Sequence, residues 1–482
     1  MAGIGIKLNK FFEKNTITGH MAGMGYSVIT TIAPMLFIII TLAIMQSVLG
    51  YQDASYYDKQ LFQNTILYIF IFSLLVTSPL NAVFSRYISD VIFEEQYADI
   101  MPCYYFGLMC NLIVACCMAV PFCIHAYTGG KIALPYICTA FACFVTFVLI
   151  FYTMQYLSIC KDYSKISLFY GIGSIISIGL SLIFVYYIGM DVTISMLLSI
   201  TVGFLITASL GFALLKQYFT AYSHCYRQIL RHIVVYRKLI AANTLYTTGL
   251  FVHNFVFWNS DLKMTVADTF ICAENYDFAS CIAMFTNISA SVIFIALIEM
   301  HFNSRYKQYS EAIIGGRLLD IEKTSRRMFR LLTDQLMSLT RLQFIISTCL
   351  FLVCLLILQR FGYTGTVIQI YPCLAAGYFI LFIMYPVFLF LYYFNDLNGA
   401  LITSIVFFAG TLGGSMISRL TEPLWYGAGL VFGSFFGWTY GYFRLRWLEK
   451  NISSHIFCNG TIIKQVTGKR PSGQVYPDHK RR

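Results

Sequence analysis

Charged residues are scarce in this sequence. They make up 11% of 482 residues, whereas about a quarter of an average soluble chain is charged. Hydrophobic residues reach 58%, and the mean hydropathy is +0.69. So little charge excludes a disordered chain and argues against a soluble enzyme. A protein of this composition is expected to be embedded in a lipid bilayer.

Motifs of nucleotide-binding and catalytic sites are also missing. The sequence has no G-x-x-x-x-G-K-[ST] run, no H-E-x-x-H, no G-x-S-x-G and no D-x-D. Most of the fifteen cysteines lie within apolar segments, where Cys usually acts as a small hydrophobic residue rather than in a disulfide framework. The sequence therefore predicts a protein that is not an enzyme and that uses no cofactor and no metal.

Long apolar segments are what the sequence has in abundance. About 20 mostly apolar residues are needed for a helix to cross the ~30 Å hydrocarbon core of a bilayer. Twelve segments meet this length, and they predict α-helices because none alternates between apolar and polar residues as a membrane β-barrel would. They lie near residues 22–50, 61–86, 101–125, 132–159, 166–189, 192–216, 239–260, 276–302, 342–361, 369–394, 399–418 and 424–444.

The order of these segments predicts the domain organisation. Six segments lie on each side of a polar cytoplasmic linker at 217–238, so we expect two six-helix lobes, at 21–216 and 239–447. An amphipathic helix at 1–20 is expected to lie in the headgroups, and a basic tail is expected at 448–482. The predicted fold is an all-α polytopic membrane protein with about twelve transmembrane helices.

Lysine and arginine predict the orientation in the membrane. With a cytoplasmic amino terminus, only five of the 33 basic residues would lie outside, namely Lys59, Lys131, Lys263, Arg360 and Arg419. The positive-inside rule favours that orientation, with both termini on the cytoplasmic side of the cytoplasmic membrane. The net charge of +11 is then explained by topology and by contact with anionic lipid, and no nucleic-acid partner is predicted.

The longest cytoplasmic loop, 303–341, combines an apolar stripe with many basic residues. One interpretation is an amphipathic helix lying in the headgroups. The other is a docking surface for a cytoplasmic partner. The basic residues of that surface would be Arg317, Lys323, Arg326, Arg327 and Arg330.

The seventh apolar segment is the most polar of the twelve. It contains His253 and Asn254, followed by Trp258, and Asn243 lies earlier in the same segment. Polar side chains in a membrane helix face other helices or water rather than lipid. These residues therefore either form hydrogen bonds inside the bundle or line a hydrated path.

Two further features bear on such a path. Tyr378 and Tyr385 recur along the tenth segment, and tyrosine combines a flat apolar face with a hydroxyl, as sugar binding requires. Glu299 is the one carboxylate candidate within the spans, and its position late in the eighth segment places it near the cytoplasmic surface. It is either an interfacial residue or a functional one.

Acidic residues crowd into or next to the outside loop after the seventh segment. They are Asp261, Asp268, Glu274 and Asp277. The simpler interpretation is an ordinary solvated loop. The alternative is an acidic surface at the exit of a transport path.

Several stretches resemble the Pel exopolysaccharide transporter family (PelG). They are the opening Met1-Ala2-Gly3-Ile4-Gly5-Ile6-Lys7-Leu8, the run Phe302-Asn303-Ser304-Arg305-Tyr306, the segment from Gly316 through Leu318-Leu319-Asp320-Ile321-Glu322 to Gln343, the pair Tyr276-Asp277 and the pair Asn395-Asp396. The resemblance extends over nearly the whole chain.

The resemblance implies a twelve-span protein like the multidrug/oligosaccharidyl-lipid/polysaccharide flippases. It implies a synthase complex that polymerises amino sugars, with a cytosolic glycosyltransferase and membrane-bound Pel synthase subunits as partners and a polysaccharide as substrate. A partly deacetylated Pel polymer is cationic, which would suit an acidic exit surface. The hypothetical polymer path then consists of Asn243, His253, Asn254, Trp258, Tyr378, Tyr385 and Glu299.

Two other functions remain open from the sequence. An intramembrane acyltransferase would use His253 and Asn254, although no site for an acyl donor can be identified. A scaffold that holds a polysaccharide synthase together without transporting anything would also fit the apolar composition. Acyl transfer by the purified protein, or assembly of a complex without polymer inside the chain, would distinguish these from a transporter.

Overall fold

The structure is a computed structural model that describes residues 36–160, 163–223, 226–289, 300–360 and 365–459. The predicted helix at 1–20, Glu299 and residues 460–482 of the predicted tail lie outside the described residues. The described part is helical except for one β-hairpin and the connecting loops. The chain is a multi-pass membrane protein.

Seven of the described helices precede the middle of the chain. They are α1 (Leu36–Val48), α2 (Tyr56–Phe93), α3 (Ile100–Thr128), α4 (Leu134–Cys160), α5 (Tyr163–Leu182), α6 (Val192–Tyr218) and α7 (Tyr226–Val235). Ser55 begins α2 by accepting a hydrogen bond from the backbone N–H of Asp58, as an N-cap does. Long apolar runs such as those of α3 and α4 form helices because lipid leaves backbone groups no other partners.

Seven more of the described helices follow. They are α8 (Arg237–Phe257), α9 (Glu274–Asn287), α10 (Met300–Gly315), α11 (Leu318–Arg360), α12 (Thr366–Tyr393), α13 (Leu397–Ser418) and α14 (Ala428–Asn459). Among the described helices, the eight from α2 to α6 and from α11 to α13 are long and apolar enough to cross a membrane. The all-α membrane fold is confirmed, while the count of twelve spans and the two lobes stay predictions.

The loop between α8 and α9 holds a feature that the sequence analysis did not predict, an antiparallel hairpin of β1 (Met264–Val266) and β2 (Phe270–Cys272). Ala267 and Asp268 both have φ near +50°, a left-handed conformation that reverses the chain within a short turn. The strands consist largely of residues that favour β-structure, such as Thr265 and Ile271, which lie opposite each other.

The buried apolar side chains form three clusters. The largest is built from α1 to α7 and includes Val266 and Phe270 of the hairpin. The second joins α10 and α11 to the carboxyl-terminal parts of α12 and α14. The third is formed mainly by α8, α9 and α12, together with Ile71 of α2. The hairpin therefore packs on the amino-terminal half although its flanking helices belong to the other half.

The predicted loop 303–341 consists of α10 and the amino-terminal part of α11. Ile321, Met328, Phe329 and Leu332 lie on the apolar face of α11 and are buried in the second cluster. The stripe thus packs within the protein rather than against lipid headgroups. The described part of α11 continues without a break from this stripe into its membrane-crossing part.

Helices α13 and α14 approach each other closely at glycines. A Cβ atom built at Gly410 would lie 2.9 Å from the Cα atom of Gly433, and one built at Gly433 would collide with the backbone nitrogen of Thr411. Small residues allow such contact between membrane helices, where van der Waals packing supplies much of the association. This close packing holds α13 and α14 together, and α13 also packs on α8.

Candidate functional site

His253 lies near the carboxyl end of α8 and is completely buried. Its Nδ1 atom is 2.9 Å from the hydroxyl of Tyr276 on α9, and its Nε2 atom is 3.4 Å from the hydroxyl of Tyr378 on α12. The Tyr378 hydroxyl is also 2.8 Å from that of Ser280. The predicted path residues His253 and Tyr378 are therefore brought together, and this chain of hydrogen bonds joins three helices.

The second polar cluster surrounds the carboxylate of Asp277, which is only 8% exposed. It accepts hydrogen bonds from Asn254 Nδ2 at 2.7 Å, from Trp258 Nε1 at 2.9 and 3.0 Å, and from the backbone N–H of Ala273 at 3.0 Å. Burying a carboxylate is costly unless donors satisfy its oxygens, as these three groups do. The predicted path residues Asn254 and Trp258 thus share one acceptor.

The other three predicted exit acids are placed differently from Asp277. Asp261 and Asp268 are exposed around the hairpin, and Glu274 is exposed at the start of α9. Glu274 accepts a hydrogen bond from Gln60 Nε2 of α2 at 3.2 Å. The structure therefore does not place all four acids on one surface, because Asp277 is turned into the protein and bound to Asn254 and Trp258.

Asn243 lies on α8, towards the amino end of that helix from His253, and contacts α2 in the amino-terminal half of the chain. Its Nδ2 atom donates to the carbonyl of Ser78 at 2.6 Å and to the Ser78 hydroxyl at 2.8 Å. The hydroxyl of Thr247 also contacts that of Ser78. Ser78 directly precedes Pro79, whose missing N–H interrupts the hydrogen bonds of α2. Polar contacts therefore join α2 to α8 at an irregular point of α2.

Tyr68 makes the second contact between these helices. Its ring stacks on that of Trp258 with a centroid distance of 5.1 Å. Its hydroxyl donates to the carbonyl of Ile271 at 2.8 Å and accepts from the N–H of Ile271 at 2.9 Å. Tyr68 thus ties α2 to both α8 and the hairpin. We call Tyr68, Ser78, Asn243, Thr247 and Trp258 the α2–α8 seam.

The remaining predicted residues lie apart from these clusters. Tyr385 is half-buried on α12, with its ring centroid 5.8 Å from that of Tyr246 on α8. The five predicted docking residues are all exposed, Arg317 just before α11 and the other four on its amino-terminal part, and Arg326 forms a 3.3 Å ion pair with Glu322. They are Arg317, Lys323, Arg326, Arg327 and Arg330.

The polar side chains of this region form separate hydrogen-bonded clusters. His253 and Asn254 are neighbours in sequence but bind different partners, Tyr276 with Tyr378 and Asp277 respectively. Within the described ranges, no group of three or more His, Cys, Asp or Glu side chains could hold a metal ion. The seam, in contrast, consists of hydroxyl, amide and aromatic groups, which can bind water or sugar when they separate.

Comparison with known families gives one match that covers most of the chain. Residues 1–457 match the PelG family, whose description reads "Putative exopolysaccharide Exporter (EPS-E)". A search of curated proteins found no match.

The fold is similar to that of solved MATE structures. "Crystal structure of MATE in complex with MaL6" has a TM-score of 0.56 at 13% identity, covering 90% of this chain and 97% of that one. "Crystal structure of MATE in the straight conformation" has a TM-score of 0.55 at 13% identity, covering 89% and 96%. A third structure is described as "Outward-facing conformation of a multidrug resistance MATE family transporter of the MOP superfamily" and has a TM-score of 0.54 at 14% identity, covering 89% and 96%. At such identities the similarity concerns the fold alone.

Proposed function

This chain belongs to the PelG family of exopolysaccharide exporters, and from that membership we propose that it passes a growing Pel-like amino-sugar polymer across the cytoplasmic membrane as part of a synthase complex. Both termini lie in the cytoplasm in this proposal, as the distribution of basic residues favours. A cytosolic glycosyltransferase extends the polymer, and membrane-bound synthase subunits hold this enzyme at the transporter.

The observation that carries the proposal is the polar and aromatic character of the α2–α8 seam. Membrane helices meet through small side chains and through hydrogen bonds of residues such as Ser, Thr and Asn. Here Ser78 meets Asn243 and Thr247 through hydrogen bonds, and Tyr68 meets Trp258 through ring stacking. Separating these groups exposes surfaces that water and sugar can contact, so a hydrated path can open at this point.

A sugar chain could replace the contacts that the seam loses on opening. Pyranose rings have a flat apolar face that stacks on Tyr or Trp, and hydroxyls that bond to Ser, Thr and Asn. Trp258 is held in position by its hydrogen bond to Asp277, so that its ring would keep its orientation when Tyr68 moves away. His253 and Tyr378 form a further hydrogen-bonded pair that joins α8 to α12.

The seam is closed in this structure, because its side chains contact one another across α2 and α8 and Trp258 is only 6% exposed. Transport therefore requires the halves to separate, as in the alternating movement of other two-part transporters. The sequence has no P-loop for ATP, so we propose that elongation of the polymer by the glycosyltransferase supplies the work.

Export of polymer from cells tests the proposal. We expect His253→Leu and Trp258→Ala to lower the polymer secreted by severalfold at equal amounts of protein in the membrane, because both remove polar or aromatic groups beside the seam. His125→Leu is the matched control, since His125 is exposed on α3 and is not one of the seam residues. Unchanged secretion by both His253→Leu and Trp258→Ala would remove these residues from the path.

A further inference from the structure

The hairpin of β1 and β2 is connected to one half of the chain but packs on the other. It joins α8 to α9, yet Val266 and Phe270 are 5% and 4% exposed and lie in the largest apolar cluster, which is built from α1 to α7. The Phe270 ring is 5.1 Å from that of Tyr68 on α2 and 5.2 Å from that of Phe122 on α3. The hairpin therefore inserts two apolar side chains into the amino-terminal half.

Two further contacts hold the hairpin on that half. A Cβ atom built at Gly130, between α3 and α4, would lie 2.6 Å from the carbonyl oxygen of Ala267 in the hairpin turn. Such close approach leaves no room for a side chain, so the turn rests directly on the backbone of this connection. At the start of α9, Glu274 accepts a hydrogen bond from Gln60 of α2 at 3.2 Å. The amino-terminal half thus holds both ends of the hairpin.

A short and stiff connection joins the hairpin to Trp258. Only Ala273 separates β2 from α9, and its backbone N–H donates to the Asp277 carboxylate at 3.0 Å. Trp258 donates to the same carboxylate at 2.9 Å. As long as these hydrogen bonds persist, a movement of Trp258 away from Tyr68 carries β2 and the start of α9 with it.

The contacts of the hairpin and those of the α2–α8 seam meet at Tyr68. Its ring stacks on Trp258, and its hydroxyl donates to and accepts from the backbone of Ile271 on β2. We propose that the hairpin is a latch on the seam, which opens at Tyr68 only after Val266 and Phe270 withdraw from the amino-terminal half. The hairpin, Trp258 and the start of α9 then move as one body. This inference rests on the proposed function, within which the seam opens for the polymer.

A reversible crosslink across the latch tests this inference. The Asn64 side chain on α2 is within hydrogen-bonding reach of the Cys272 thiol on β2, so Asn64→Cys places a second thiol beside it. Ser78→Cys in the same chain reports opening, because its contacts with α8 shield it while the seam is closed. The full-length protein is labelled with maleimide in nanodiscs without polymer. We expect oxidation to slow labelling at the Ser78→Cys position severalfold, and reduction to restore it.

Matched variants control for the substitutions themselves. Asn64→Cys/Cys272→Ser keeps the new thiol but cannot form the crosslink, so oxidant should leave labelling at the Ser78→Cys position unchanged. Gly130→Ala, which presses a methyl group against the hairpin turn, should loosen the latch and speed this labelling severalfold. Gly179→Ala on α5 should not, since nothing lies within 4 Å of its Cβ position.

Two results would overturn the latch. One is equal labelling of the crosslinked and the reduced protein, with the crosslink confirmed by peptide mapping. The other is no labelling in either state, since the seam would then not open at all. Because no polymer is present, these outcomes are independent of the export assay with His253→Leu and Trp258→Ala, which tests the proposed function.

Discussion

Tyr68 and Trp258 stack with their rings 5.1 Å apart and within 2° of parallel, although they belong to different halves of the chain. Trp258 is bound to the buried carboxylate of Asp277, and Tyr68 is bound to Ile271 of the hairpin. One aromatic pair thus links α2, α8, α9 and the hairpin. Such a pair contributes about 0.5–1.5 kcal/mol beyond burial to the contact between the two halves.

The first prediction concerns the two hydrogen bonds between Tyr68 and Ile271. Tyr68→Phe removes both while keeping the ring, so the hairpin should separate from α2 more often. Cys272 reports this movement, because it is buried on β2 and burial raises the pKa of its thiol to about 11. When the hairpin separates, the pKa should fall towards its ordinary value and the thiolate should become accessible, so maleimide labelling at pH 8 should be faster.

Peptide mapping by mass spectrometry identifies the labelling of Cys272 among the other cysteines. Tyr56→Phe is the matched control, because Tyr56 starts the same helix and is 68% exposed. In Tyr56→Phe, Cys272 should be labelled at the same rate as in the wild type. A rate for Cys272 that is the same in Tyr68→Phe as in the control would contradict a hairpin held by these two bonds.

The second prediction concerns the ion pair between Asp396 and Arg444. Arg444 donates Nε and Nη2 to the two carboxylate oxygens, the latter at 3.1 Å, and Asp396 is only 2% exposed. Asp396 also caps α13 by accepting from the N–H of Gly399. Arg444→Ala leaves a buried carboxylate without its cation and should lower the free energy of unfolding by on the order of 3 kcal/mol.

Thermal unfolding in detergent measures this loss. Arg446→Ala is the control, because Arg446 lies on the same helix and pairs with Glu449 at a surface where the side chains are 42% and 36% exposed. Exposed pairs contribute about 1 kcal/mol or less, so the control should unfold close to the wild-type temperature. If both variants lost the same amount of stability, burial of Asp396 would not determine how much its ion pair with Arg444 stabilises the protein.

The sequence predicted the helices well because lipid imposes a simple rule on them. The predicted segment 369–394 has no stable conformation in a membrane other than a helix, and it corresponds to the described α12, Thr366–Tyr393. The polar character of α8 was equally visible, since His253 and Asn254 stand out in an apolar chain. Their burial in hydrogen-bonded clusters agrees with the expectation that polar groups in such a helix face the bundle.

The partners of these polar groups were not predictable from the sequence. Tyr68 and Ser78 are ordinary residues of an apolar helix, and only the packing of α2 on α8 gives them a role. Asp277 was grouped with the loop acids because it lies beside them in sequence, yet the first turn of α9 carries it under the loop. Contacts between residues far apart in the chain leave no local pattern to read.

The third prediction tests whether Asp277 must be a carboxylate. Each of its oxygens accepts from N–H groups, Oδ1 from Asn254 and Oδ2 from Ala273, with Trp258 donating to both. Asp277→Asn places an NH₂ group against donors in either orientation, so the free energy of unfolding should fall by about 1–3 kcal/mol. Asp268→Asn is the control, because Asp268 is exposed and its left-handed φ of +49° suits Asn. Thermal unfolding that affects both variants equally would contradict the assigned hydrogen bonds.

The fourth prediction uses the glycines between α13 and α14. A Cβ atom at Gly433 would collide with the backbone of Thr411, and backbone cannot move aside as a flexible side chain can. Gly433→Ala should therefore push the helices apart and lower the free energy of unfolding by about 1–3 kcal/mol. Gly413→Ala on α13 is the control, since nothing lies within 4 Å of its Cβ position. That change should be neutral or should stabilise the helix by up to about 1 kcal/mol. A loss of stability in Gly413→Ala similar to that in Gly433→Ala would mean that close approach of the two helices does not decide the effect, and the tight contact of α14 with α13 would then be unsupported.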